Sequence, residues 1–305
     1  MFKIIYLFLF SLVVIPLYAI DIQSKLYKGC SYTGEFKNSK YHGKGKFVLK
    51  DKSYYIGEFK NGTMYGKGKF IDAKNRLVYK GEFKNDFMDG FGRYFFYNGD
   101  IYIGHFKKNM LEGEGEYRHS NGTIYKGQFH NSMRDGEGYL TFPNGNHYKG
   151  TFKKGKMNGR GRLVYKREEI TYEGEFKNDL PDGYGIHTYP DGSSYTGNYK
   201  KNLYHGRGTF IDKDGSQYIG EYIANRREGK GIFIYSNGDK YIGEFKNNLF
   251  HGDGIIKQAD GKEIKVKVYK NKFISASHHP LLKNNTIPLK YDKDSNVSIT
   301  NEISL

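Results

Sequence analysis

The chain repeats itself with a short, nearly constant period. A tyrosine, a variable residue, a glycine, a polar residue and an aromatic appear first as Tyr32-Thr33-Gly34-Glu35-Phe36. The tyrosine returns at Tyr55, Tyr79, Tyr102, Tyr125, Tyr148, Tyr172, Tyr195, Tyr218 and Tyr241, in steps of 23 or 24 residues. A period of this size marks stacked units that each touch mainly their neighbours. The composition agrees, because 40 Gly, 29 Tyr and 22 Phe without any Trp suit a shallow aromatic layer repeated along the chain.

In the fourth unit Tyr102, Gly104 and Phe106 alternate with Ile103, His105 and Lys107, so period two puts aromatics and glycine on one face. Gly113, Gly115 and Tyr117 share a face of the next segment, and a short polar loop around Lys108-Asn109 joins the two segments into a β-hairpin. The Gly-x-Gly pair also recurs in every unit, from Gly43/Gly45 to Gly252/Gly254. Glycine weakens a strand because nothing packs there. Its regular place on the aromatic face suggests bare backbone on which a neighbouring Tyr or Phe ring lies. A phosphate-cradling loop is disfavoured, since no helix N-terminus follows the pair.

Asn98-Gly99, Asn121-Gly122, Asn144-Gly145, Asp191-Gly192, Asp214-Gly215, Asn237-Gly238 and Asp260-Gly261 each precede a new segment and supply the positive φ of tight hairpin turns. In the two longer steps Asn75-Arg76 and Glu168-Glu169 stand there instead, which places the extra residue in a connecting loop and leaves the strand register intact. The expected fold class is all-β: an elongated, twisted, single-layer antiparallel β-meander of ten hairpin repeats. About twenty strands at ~4.8 Å would extend on the order of 95 Å.

Met1 to Ala19 has a basic start at Lys3, an apolar run and a small residue at its end, the pattern of a helical secretory signal peptide. The chain is therefore expected to be exported, to the periplasm or outside the cell, and to be membrane-associated if the segment stays as an anchor. A lead-in at 20–31 precedes the repeat array at 32–271. Ile264-Lys265-Val266-Lys267-Val268 keeps the alternation without Tyr, Gly or Phe, as a degenerate capping strand would. Residues 272–305 read as a polar, irregular and disordered tail. His278 and His279 lie there without further ligands nearby, so no metal site is expected. Cys30 is the only cysteine, so no internal disulfide forms.

The unit Tyr-x-Gly-Glu-Phe-Lys-Asn followed by Gly-x-Gly-x-Phe resembles the MORN repeat (membrane occupation and recognition nexus), as at Tyr55 to Phe70, Tyr172 to Gly185 and Tyr241 to Gly254. The resemblance spans Tyr32 to Lys270. It implies a single-layer β-meander used as an assembly or membrane-contact scaffold, with members that bind anionic lipids and others that dimerise or dock proteins.

No catalytic constellation emerges. His42, His205 and His251 share a turn slot with Asp89, Asp135 and Asp182 but sit in non-adjacent repeats, too far apart for joint chemistry. Glu35, Glu58, Glu82, Glu175, Glu221 and Glu244 form a ladder expected to pair with lysines across strands. The chain is therefore expected to be no enzyme and to hold no cofactor, metal or small-molecule substrate. The net charge of +16 favours anionic partners, although export argues against nucleic acid.

The leading expectation is a scaffold for protein association or self-association. It would use an aromatic groove of Tyr32, Phe36, Tyr55, Phe59, Tyr79, Phe83, Tyr102, Phe106, Tyr125, Phe129, Tyr148, Phe152, Tyr172, Phe176, Tyr195, Tyr199, Tyr218, Tyr222, Tyr241 and Phe245, together with exposed strand edges. The alternative is peripheral binding of an anionic membrane through Lys37, Lys60, Lys84, Lys107, Lys153, Lys177, Lys200 and Lys246. A third is glycan or cell-wall binding through the tyrosine file.

Overall fold

The computed structural model describes residues 29–276. The signal segment, most of the lead-in and the tail after residue 276 lie outside the described residues. The chain divides into two compact units, with the boundary along the chain between Lys156 and Met157. The first unit holds β1 (Ser31–Lys37), β2 (Lys40–Val48), β3 (Tyr54–Lys60), β4 (Thr63–Ile71), β5 (Leu77–Lys84), β6 (Phe87–Phe95), β7 (Ile101–Lys107), β8 (Met110–Arg118), β9 (Ile124–His130), β10 (Met133–Thr141) and β11 (His147–Lys153).

The second unit holds β12 (Lys156–Tyr165), β13 (Ile170–Lys177), β14 (Leu180–Thr188), β15 (Ser194–Lys200), β16 (Leu203–Ile211), β17 (Gln217–Ile223), β18 (Arg226–Ile234), β19 (Lys240–Lys246), β20 (Leu249–Lys257), β21 (Glu263–Tyr269) and β22 (Lys272–Ala276). In each unit every strand pairs antiparallel with the next in sequence, the meander that the period implies.

Two kinds of turn make that meander. Within a repeat, two residues at positive φ join the strands, as at Lys108 (49°) and Asn109 (68°) or Asn178 (51°) and Asp179 (71°). This is the type I′ geometry that matches strand twist. It falls at dipeptides such as Lys-Asn and Asn-Asp, and once at Asn61-Gly62, rather than at the Asn-Gly and Asp-Gly dipeptides that precede each new segment. Between repeats a three-residue loop is used: Gly99 N–H bonds Phe96 C=O and Phe96 N–H bonds Asp100 C=O, with only Gly99 at positive φ. That is a type I turn closed by a left-handed residue.

The first long step departs from the loop expectation. Asp72 to Arg76 form the same loop, with Asn75 in the left-handed position. The extra residue is Val78, a bulge in β5 where Ile71 pairs with Leu77 and Phe70 with Tyr79. Val78 is buried, so packing of an apolar side chain holds the insertion inside the strand. In the second long step the extra residue does lie in the loop, between Tyr165 and Ile170.

Glycines align across the sheet. Gly34, Gly45, Gly57, Gly68, Gly81, Gly92, Gly104, Gly115, Gly127, Gly138 and Gly150 are successive partners from β1 to β11. A second such file crosses β12 to β20 and ends where Gly254 faces Val266. Each repeat's tyrosine lies over the glycine pair of its own hairpin. A Cβ on Gly115 would come within 2.6 Å of Tyr102 Cζ, and its nearest neighbours all belong to that ring. The hydroxyl then reaches the carbonyl three residues on, as Tyr102 to His105 at 3.0 Å. With its polar end satisfied, the ring can be buried completely.

The C-terminal end closes differently. Ile264, Val266 and Val268 of β21 are buried at the slots of tyrosine, glycine and phenylalanine. Where no tyrosine overlies the floor, a branched side chain replaces the glycine. The capping strand has a partner in β22, at residues 272–276, so strand pairing continues past residue 271.

Candidate interaction surfaces

From Tyr55 onward the candidate groove is interior. Its nine leading tyrosines are 0–2 % exposed and their aromatic partners 2–5 %. Each partner is wedged edge-on between two tyrosines: Phe59 lies 5.0 Å from Tyr32 and 5.1 Å from Tyr55, and Phe106 lies 5.1 Å from both Tyr79 and Tyr102. The same wedge recurs with Tyr199 between Tyr172 and Tyr195, and with Phe245 between Tyr218 and Tyr241. The ring faces are occupied by these neighbours. Tyr32 is half-buried, and Phe36, on the terminal strand β1, is 61 % exposed.

The glutamate ladder stands across from lysines as expected, with Glu58, Glu82 and Glu244 directly opposite Lys44, Lys67 and Lys230, and it also serves the backbone. In each hairpin the register shifts beside the first glycine of the pair, which takes positive φ, as Gly43 at 60° and Gly66 at 70° do. The facing glutamate caps this bulge. Glu35 accepts from Lys44 N–H at 2.9 Å and Glu58 from Lys67 N–H at 3.2 Å. Glu82, Glu221 and Glu244 lie against Gly90, Gly229 and Gly252, where a Cβ would collide with them.

The turn residues clamp neighbouring repeats, a role with no periodic signature beyond a small polar residue. Asn109 N–H donates to Met88 C=O at 2.9 Å, and its Oδ1 accepts from Met88 N–H at 2.7 Å. Asn225, Asn248 and Asn271 repeat the clamp on Tyr204, Arg227 and Phe250. The acidic residue before the glycine pair adds a tie, as Asp135 accepts from Lys154 N–H and Asp182 from Lys201 N–H, both at 3.1 Å. His42, His205 and His251 occupy the same slot. No group of three or more His, Cys, Asp or Glu suited to a metal occurs among the described residues.

Burial raises the hydroxyl pKa of Tyr55, Tyr79, Tyr102 and their equivalents above the ordinary tyrosine value. His187, half-buried in the slot that holds an aromatic, Leu or Ile in other repeats, is pushed down to about 4 by desolvation, and its Nε2 has no partner. Burial works to raise the carboxyl pKa of Asp100. Donation from Ser120 N–H and Tyr117 hydroxyl outweighs it and holds the group below its usual range.

What remains for contact is the outer face and the rims. The eight candidate lysines are all exposed, each the last residue of its strand beside a type I′ turn, so they line the turn rim. On the outer face one row runs beside the glycine file. In the first unit it includes Lys46, Ile56, Lys69, Lys80, Arg93, Ile103, Glu116 and Lys126. Lys69, Lys80 and Arg93 are direct cross-strand neighbours, all exposed, with no carboxylate among their partners in the row.

In the second unit the same row reads Thr196, Thr209, Ile219, Ile232, Ile242 and Ile255, in register over β15 to β20. Ile219 and Ile242 are 41 % and 37 % exposed. Thr196, Thr209, Ile219, Ile232 and Ile242 of this row form one wall of an open trough of about 830 Å³, whose other wall carries Arg207, Glu221, Lys230, Glu244 and Asp253.

A tandem β-hairpin array with a tyrosine-covered glycine floor is a repeat scaffold by construction. Ten consecutive stretches, at 32–54, 55–75, 79–101, 102–124, 125–147, 148–167, 172–194, 195–217, 218–240 and 241–263, match the MORN repeat. The chain belongs to the MORN repeat family. No curated protein matches it. Among solved structures it is similar to the Sas-4 (dCPAP) TCP domain of Drosophila melanogaster in complex with a proline-rich motif of Ana2. The identity is 14 %, over 52 % of this chain and 85 % of that one, with a TM-score of 0.34. The CPAP G-box domain is similar at 10 % identity, over 78 % and 99 % of the two chains, with a TM-score of 0.23. At these scores neither likeness carries a functional argument.

Proposed function

We propose that the chain is an exported, non-catalytic scaffold for protein association, and that the outer face of its second unit receives an extended protein segment with apolar side chains. The observation that carries this reading is the in-register isoleucine row Ile219-Ile232-Ile242-Ile255 on a solvent-facing sheet. The repeat tyrosines from Tyr55 onward, the glutamates that cap the bulges and the clamping turn asparagines serve the fold, whereas nothing in the fold requires isoleucines there. The alternating charges Arg207, Glu221, Lys230 and Glu244 along the opposite wall suit a polar backbone with mixed flanking charges.

The test compares wild type with an Ile219→Lys/Ile242→Lys variant as baits, with folding checked by circular dichroism. Proteins retained by the wild type and lost by the folded variant support the reading. Identical retention contradicts it.

A second reading, contact with an anionic membrane, is favoured by the Lys69-Lys80-Arg93 column and the rim lysines. Like charges directly opposite repel, and an anionic surface would relieve that repulsion. Each basic residue near such a surface contributes about 1 kcal/mol. Vesicle co-flotation across a salt series tests it. Binding that needs anionic lipid and weakens with salt supports it, and binding indifferent to both rejects the lysine mechanism.

A further inference from the structure

The outer edge of β1, unpaired among the described residues, sets it apart from the equivalent strands inside the two units. Phe36 is 61 % exposed, against 2–5 % for the same position in the nine other repeats. Those residues each sit between two tyrosines, whereas the tyrosine contact of Phe36 within the array's motif is Tyr32, at 5.1 Å, with Tyr41 of its own hairpin at 5.7 Å. β1 pairs with β2 on one side, and no described strand pairs on the other. It holds no proline, and its only charges are Glu35 and Lys37. A strand edge without such protection is a template for pairing.

We propose that a second copy of the chain pairs with β1 along this edge, antiparallel, about a two-fold axis at Gly34. Gly34 is the middle of the seven residues of β1, so this register uses the whole strand and is self-complementary, as a two-fold interface requires. It sets Gly34 against Gly34 of the other copy and carries the glycine file across without a side-chain collision. Tyr32 then stands opposite Phe36 of the other copy, and Phe36 opposite Tyr32, which returns an aromatic neighbour to the one exposed member of the series. On the other face Thr33 meets Glu35 and Ser31 meets Lys37, so no like charges oppose.

The inference rests on the association reading above but uses a different surface, so the two can fail separately. Sedimentation velocity of the full chain is expected to show a dimer at micromolar concentration, with Phe36→Lys weakening it at least tenfold and leaving circular dichroism unchanged. In a Cys30→Ser background, Ser31→Cys/Lys37→Cys is expected to yield a covalent dimer on mild oxidation, because this register places residue 31 against residue 37 of the other copy.

A monomer would overturn the pairing. A dimer indifferent to Phe36→Lys, a larger open assembly, or absence of the 31–37 cross-link would overturn it equally. Capture that depends on the isoleucine row, with a monomeric chain, would reject this edge contact and leave the association reading standing.

Discussion

The two units share an inner face and differ on the outer one. Inside, both carry tyrosines laid over glycine pairs, with hydroxyls bonded to the carbonyl three residues on, as at Tyr125 (2.9 Å) and Tyr195 (3.0 Å). Outside, the row next to that file carries a basic stretch in the first unit, Lys69, Lys80 and Arg93 abreast, and an apolar stretch in the second, Ile219, Ile232 and Ile242 abreast. One repeat rule therefore fixes the inner aromatics and leaves a solvent row free to vary.

The sharpest way to break the claim of a common interior is to fill the floor in both units. Gly115→Val and Gly231→Val each place a side chain inside a tyrosine ring, Tyr102 in one unit and Tyr218 in the other. Each is expected to lose about 3 kcal/mol in urea unfolding, at the upper end of the overpacking range. A loss confined to one unit would show that the two interiors are not built alike.

The next effect belongs to the second unit alone. The fold holds His187 neutral, with its pKa near 4 against an ordinary 6.5. Below about pH 6.5 the unfolded chain takes up a proton that the folded chain refuses, so stability falls with pH until about 4, by on the order of 3 kcal/mol in total. His187→Phe should remove that part of the acid sensitivity, measured as unfolding midpoints from pH 7 to 4. An unchanged profile would contradict the burial argument.

The smallest effect sharpens the outer-face contrast. Lys80→Thr relieves two like-charge neighbours and should stabilise the first unit by about 0.5 kcal/mol at low salt, fading as salt rises. Thr209→Lys, flanked by Thr196 and Ile219, should change the second unit by less than about 0.5 kcal/mol at any salt. Equal responses would mean that the basic column is not under electrostatic tension.

Much of the fold was legible because periodicity is a backbone property. The hairpins, the glycine floor and the family all follow from Tyr-x-Gly-x-Phe and Gly-x-Gly at fixed spacing. What stayed hidden depends on the third dimension. The alternation that put Tyr102 and Phe106 on one face could not say whether that face was a groove or was closed by rings from adjacent repeats. Glu58 does stand across from Lys44, but only the bulge at Gly66 shows that its carboxylate also takes a backbone N–H. Val78 looks like loop length, because a bulge and a longer loop share the same residue count. The docking of Asn109 on Met88 links residues 21 apart, one repeat less two, and only the stacked structure brings them together.

The claim beneath all of this is that each tyrosine covers the bare backbone of its hairpin. The chain itself replaces glycine by Val266 where Ile264 takes the tyrosine slot. A double-mutant cycle between Tyr102→Ala and Gly115→Val, read by urea unfolding, tests the claim most directly. The valine should cost about 3 kcal/mol under an intact tyrosine and at least about 1 kcal/mol less once the ring is gone. Strict additivity of the two substitutions would contradict it.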